Sequence, residues 1–173
     1  ACVLFALPLA LAQDPARGWL GYAKGTDPEG GNRVLTFVEA YWKVGQNPKV
    51  NGAFFSPWFG IESSDNLNLI QPVNPWTGNH WEIYNEYFQW FPVHNENSDS
   101  HVVHAGDTLY GAVRLDSSGK SYTMTHINLS DGWTVNTTIP IQSSWTGGLK
   151  KYTIVYFVFE KEASCEQYPS DGS

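Results

Sequence analysis

Apolar and polar positions alternate with a period of two over most of this chain, in short runs broken by Gly, Pro, Asn, Asp and Ser. Val34–Val44 sets Val34, Thr36, Val38, Ala40 and Trp42 against Leu35, Phe37, Glu39, Tyr41 and Lys43, the pattern of a strand with two different faces. Ala53–Glu62 reads as a second strand region, interrupted at Ser56-Pro57, which predicts a bulge or an edge position. His80–Phe91 is the longest aromatic segment and stops at Pro92. Thr108–Asp116 and Tyr122–Leu129 flank Ser117-Ser118-Gly119-Lys120, a hairpin signal. Trp133–Ile141 and Tyr152–Lys161 complete seven predicted strands. Asn95–Ser100 reads as a polar loop and residues 162–173 as a mobile tail. No window carries a sustained helical period, so the prediction is an all-β, antiparallel sandwich.

The first residues follow a different rule. Cys2–Ala12 is apolar and uncharged, is too short to cross a bilayer, and ends in Ala10-Leu11-Ala12 before the polar Gln13-Asp14. Residues 1–12 are therefore expected to be the remnant of a signal peptide, with residues 13–161 forming one sandwich domain of a secreted protein. Loss of Cys2 with that segment leaves Cys165 as the sole cysteine of the mature chain. A disulfide-linked partner, a free thiol and a residue without a role all fit it. The sequons Asn128-Leu129-Ser130 and Asn136-Thr137-Thr138 are candidate N-glycosylation sites.

A net charge of −7 with no basic stripe argues against a nucleic-acid partner, and no other run is long enough for a membrane helix. No cofactor is expected, because the chain has no phosphate-cradling glycine loop and no Asp-rich calcium loop. No metal is expected either. His101 and His104 are spaced to point to opposite faces of a strand, which is poor ligand geometry.

Within His80–Phe91, alternation places Asn85, Tyr87, Gln89 and Phe91 on one face and Glu86, Phe88 and Trp90 on the other. Amides mixed with aromatics suit a cleft that stacks on and hydrogen-bonds a polar ligand. A half-exposed sheet face without a ligand fits the same residues.

Several motifs resemble the glutamic peptidase (eqolisin) family. Trp58-Phe59-Gly60-Ile61 followed by Leu69-Ile70-Gln71 is similar to the family's Trp-x-Gly-Ile strand and the Leu-x-Gln that holds its catalytic glutamine. Asn85–Pro92 resembles its Trp-Tyr-Glu-Trp-Tyr-Pro strand, and Ala105-Gly106-Asp107-Thr108 its Gly-Asp strand entry. Tyr156–Glu160 resembles its closing Glu-Trp-Ile-Val-Glu strand. The resemblance spans residues 18–160 and implies a concanavalin A-like jelly roll with a concave substrate cleft. It implies that Gln71 is the catalytic glutamine. Carried over on these motifs, the glutamate opening the last strand falls on Tyr156, the mid-strand glutamate on Gln89, and the aspartate upstream of it on Asn85.

The resemblance thus implies replacement of the catalytic glutamate and a cleft of Gln71, Asn85, Tyr87, Gln89 and Tyr156. The expectation is a non-proteolytic pseudoenzyme that binds a peptide or glycan. An active acid endopeptidase using Gln71 with another carboxylate, of which Glu160 is the best placed, is the alternative. A glycoside hydrolase, for which the sequence nominates no carboxylate pair, and a matrix protein crosslinked through Cys165 are further readings.

Overall fold

The structure is a computed structural model and describes residues 18–26, 33–63, 65, 68–145 and 147–173. The predicted signal segment lies outside the described residues. Among the described residues, eleven strands form two antiparallel sheets. They are β1 (Trp19–Gly25), β2 (Phe37–Lys43), β3 (Phe55–Ser63), β4 (Asn68–Val73), β5 (Trp81–Gln89), β6 (His94–Asn97), β7 (His101–Val103), β8 (Thr108–Leu115), β9 (Ser121–Asn128), β10 (Thr134–Pro140) and β11 (Tyr152–Lys161). The larger sheet runs β1-β11-β3-β4-β5-β6, with β7 also on β5; the smaller runs β10-β9-β8-β2. The fold class is the expected antiparallel β-sandwich, and no helix among the described residues is long and apolar enough to cross a membrane.

All seven predicted strands are present, and the sheets meet through their in-phase apolar residues. Phe59 and Ile61 of β3, Ile70 of β4, Tyr87 of β5, Val113 of β8, and Tyr122 and Met124 of β9 form the main cluster between the sheets. Trp42 of β2 packs against it at the sandwich edge. A second cluster, with Phe55, Trp76, Trp81, Ile83 and Leu109, fills one end. The segment read as a polar loop contributes β6, paired with β5 from Glu86↔Asn97 to Gln89↔His94. Residues 162–173, read as a mobile tail, are tied down: the Tyr168 ring stacks on Phe159, and its hydroxyl donates to Gly18 O at 2.7 Å.

A histidine is sealed into this core. His126 of β9 is fully buried, with its ring against Trp42, and its Nδ1–H donates to Tyr84 O at 3.2 Å. Its Nε2 is buried without a partner, so protonation would place an uncompensated charge in the core. Burial accordingly pushes its pKa down to about 4, with the Tyr84 carbonyl opposing weakly. Between the ordinary histidine value of about 6.5 and about 4, the unfolded chain takes up a proton that the folded chain refuses. Stability is therefore lost as pH falls through that window, by roughly 3 kcal/mol, and the loss levels off below it. Urea unfolding of the parent and of His126→Gln at pH 7, 5 and 4 checks this. The variant, less stable at pH 7, is expected to close the gap towards pH 4. A gap independent of pH would refute the assignment.

Candidate functional site

The outer face of the large sheet carries a patch that its alternation makes apolar: Trp58 of β3, Leu69 and Val73 of β4, and Val158 of β11, with Trp19, Tyr84, Phe88 and Tyr156 packed against them. This explains why β4 is buried along its whole length. One face of it meets the core and the other floors a cleft. The cleft encloses about 150 Å³ and is lined by Trp19, Trp58, Gln71, Tyr84, Glu86 and Glu160, among others. A larger groove of about 370 Å³ lies against the inner face of β1 and β11 beside β2, but its described lining is almost wholly apolar and holds no carboxylate, amide or imidazole. Of the two, only the first carries functional groups for hydrolytic chemistry.

Gln71 reaches the cleft because β4 pairs with β5 in the register Gln71↔Glu86, which sets these two side chains on the same face. Gln71 Nε2 donates to Glu86 Oε2 at 2.6 Å. Gln71 Oε1 is buried and accepts no hydrogen bond from any described residue. Gly60 of β3 makes the placement sterically feasible, since a Cβ there would lie 2.8 Å from Gln71 Cβ and 2.6 Å from Ile70 O. The glycine of the Trp-x-Gly-Ile motif thus admits the glutamine strand alongside it.

Glu160 enters from β11, and Trp58 Nε1–H donates to its Oε2 at 2.7 Å. Its carboxyl is held up at about 6. Burial is the main cause, the nearby carboxylates Glu162 and Glu86 add to it, and the Trp19 and Trp58 indoles oppose it. Glu86 is likewise raised, chiefly by burial, with the Gln71 amide opposing and Glu162 adding. Of these two carboxyl groups of weakened acidity, Glu86 meets the Gln71 amide directly, and Glu160, opposite Ser56 of β3, lines the same cleft further along the sheet.

The sequence expectation for this cleft is corrected on three residues. Asn85, Tyr87 and Gln89 do share a face of β5, but it is the face of Trp81 and Ile83, turned into the sandwich, and all are buried. Most of their polar atoms are engaged internally: Asn85 Nδ2 donates to Met124 O and Thr137 Oγ1, Tyr87 Oη to Gln89 Oε1, and Gln89 Nε2 to Pro92 O, while Asn85 Oδ1 is buried with no partner among the described residues. The opposite face of β5 carries Glu82, Tyr84, Glu86 and Phe88, of which the last three line the cleft. Gln71 is in the cleft as expected. Tyr156 lies on the cleft side of β11, its ring against Trp19 and Trp58. The cleft read as neutral from Tyr156, Gln89 and Asn85 is instead lined by Glu86, Glu160 and Glu162. Sequence reasoning does not single out Glu86 as a site residue; its phase opposite Ile83 is the signal that could have found it.

The remaining candidates lie elsewhere. Asn128 is buried at the end of β9 with its Nδ2 donating to Asp107 Oδ2, so the folded chain does not present this nitrogen for glycosylation. Asn136 is exposed on β10. His101 pairs with Asp131 and stacks on Trp133, apart from His104, which lies beside Asp107. No group of three or more His, Cys, Asp or Glu gathers as a metal site among the described residues. Cys165 is exposed with a free thiol.

Solved structures of similar fold include scytalido-glutamic peptidase with a transition state analog inhibitor (TM-score 0.62, 20% identity). That match covers 89% of this chain and 69% of the other. The complex of SCP-B, a member of the eqolisin family, with the tripeptide Ala-Ile-His matches with a TM-score of 0.60 and 21% identity. It covers 90% of this chain and 67% of the other. No curated protein sequence matches the chain. The family model of the Peptidase A4 family matches residues 18–169. With that match spanning the whole sandwich, the chain belongs to the Peptidase A4 family.

Proposed function

We propose that the protein is a peptidase that hydrolyses peptide bonds with Gln71 and Glu160, acting outside the cell in weakly acidic fluid. The observation that carries this reading is that the Gln71 amide and the buried Glu160 carboxyl line one aromatic-floored cleft, Glu160 lying four residues along β11 from Tyr156, the residue level with Gln71 across Gly60. Amide hydrolysis needs a group that takes a proton from water as the oxygen attacks and returns it to the leaving nitrogen. A carboxyl raised to about 6 can do both near its own midpoint. The developing oxyanion needs a donor already in place, and a primary amide held by its neighbours supplies N–H without reorganisation. Gln71 Oε1, buried without a protein partner among the described residues, is an acceptor for the proton of a water or of a substrate N–H.

The non-proteolytic reading rests on Tyr156 at the position of the family's catalytic glutamate and on Asn85 and Gln89; Asn85 and Gln89 face the core, whereas Tyr156 lies on the cleft side, opposite the Gly60 that adjoins Gln71. The apolar run Cys2–Ala12 supports export.

Digestion of a denatured protein between pH 4 and 7 tests the proposal. The parent is expected to cleave, and Gln71→Ala to lose about 10²–10³-fold in kcat with its fold intact by circular dichroism. A parent that binds peptides yet leaves them whole, or a Gln71→Ala variant of undiminished rate, would overturn it.

A further inference from the structure

We infer that Glu86 is a positioning residue that fixes which end of the Gln71 amide faces the substrate and sets the charge that Glu160 experiences. The inference rests on the Gln71–Glu160 reading above. A carboxamide has two ends of nearly equal shape, and only the environment decides between its donor and its acceptor. An ionised carboxylate accepts and never donates, so a carboxylate 2.6 Å from the amide selects the NH2 group for itself. One N–H of Gln71 is then committed to Glu86. The other remains for the carbonyl oxygen of a substrate, and Oε1, which no described protein donor satisfies, stays on the opposite side.

The register Gln71↔Glu86 makes this a pairing between adjacent central strands, with both backbones held in the sheet. With Glu86 ionised, the alternative, in which Oε1 turns to Glu86, would set two acceptors against each other. Without Glu86, either end of the amide could face the cleft, and half of the orientations would present oxygen to the oxyanion.

The second consequence is electrostatic. The titratable groups around Glu160 are Glu86 and Tyr84 from β5, Glu162 just beyond β11, and Tyr168 in the C-terminal segment. Among the described residues, no Lys or Arg lines the cleft. An ionised Glu86 therefore adds, after burial and Glu162, to what disfavours the carboxylate at Glu160.

The test compares the parent with Glu86→Gln, Glu86→Asp and Glu160→Gln. Glu86→Gln keeps the volume but can donate as well as accept, so kcat should fall about 10–100-fold with KM changed less than about twofold. The NMR titration of the Trp58 indole N–H, which bonds Glu160, should move to lower pH. Glu86→Asp retains the charge and should keep the Trp58 midpoint near that of the parent. A merely structural role would move stability and leave that midpoint in place. Glu86→Gln with parental kcat, or with a parental Trp58 midpoint, overturns the inference. Failure of the underlying reading looks different: Glu160→Gln would then retain activity, whatever Glu86→Gln does. If the parent cleaves nothing, the assignment fails unless Glu86→Gln shifts both the Trp58 midpoint and the Gln71 side-chain amide signals.

Discussion

Glu160→Gln is expected to lower kcat by about 10²–10⁴-fold, the range removed with a positioned general acid–base group, while the protein remains folded. The substitution is nearly isosteric, and the oxygen of the introduced amide can still accept the Trp58 N–H that now meets Glu160 Oε2 at 2.7 Å. What disappears is the site that takes the proton of the attacking water and carries it to the leaving amine. The pH dependence follows from the direction of the shift. Burial holds Glu160 at about 6, so kcat/KM of the parent should rise as pH increases through that midpoint, because the base must be ionised in the free enzyme. The same shift stabilises the fold in the opposite direction: a carboxyl raised in the folded state binds its proton more readily there. Its contribution is full below the unfolded value and fades as pH rises through about 6. Steady-state kinetics between pH 4 and 8 decide the matter. A variant within tenfold of the parent, or a parental limb far from the Trp58 midpoint, would assign the base to another group.

Alternation locates seven of the eleven strands because each has one face on a core, as Val38, Ala40 and Trp42 of β2 show, and it misses the equally long but largely exposed β1. It misses β4, Asn68–Val73, because this strand is buried on both faces and carries Pro72, so no period of two survives. It misses β6, His94–Asn97, because four exposed polar residues pair through backbone alone. The site is half legible for a related reason. The phase of β5 is readable, but amides and aromatics occupy one face and carboxylates and aromatics the other, so side-chain type does not say which points inward. Asn85 and Gln89 enter the core because their amide N–H groups find acceptors there: Met124 O and Thr137 Oγ1 for one, Pro92 O for the other, whose Oε1 also accepts from Tyr87 Oη. Those partners come from distant strands and a turn, and no local pattern announces them. Gln71, by contrast, is marked by the glycine strand beside it, whose lack of a Cβ has a steric reason visible in the fold.

Asp65→Ala should cost the fold about 3–5 kcal/mol, the penalty for leaving one member of a buried ion pair without its partner. Lys150 is the member left behind: its side chain is 2% exposed, and its Nζ lies 3.0 Å from Asp65 Oδ1. The pair links the segment after β3 to Lys150, two residues before the start of β11, where Tyr152 is in register with Ser63. Asp65 is further bound by Ser63 Oγ at 2.6 Å, which in turn accepts from Asn68 Nδ2 at 2.7 Å. Burial alone would raise the Asp65 carboxyl, but hydrogen bonds from Ser144, Ser63 and Lys150, with the lysine charge, outweigh it and hold the group at about 2. A depressed carboxyl contributes stability that is present above its unfolded value of about 3.9 and is lost only as pH falls through about 2. The link therefore survives throughout the weakly acidic range in which His126 erodes stability. In a chain of this size the loss corresponds to a Tm lower by roughly 6–20 °C. Asp65→Ala with Lys150→Met should recover most of it, since no buried charge then remains. Thermal unfolding of parent, single and double variants at pH 6 reads both effects. A single variant within about 1 kcal/mol of the parent would mean that the pair acts like a solvated surface bridge, and that β3 and β11 are held by their ladder and the Tyr152 packing alone.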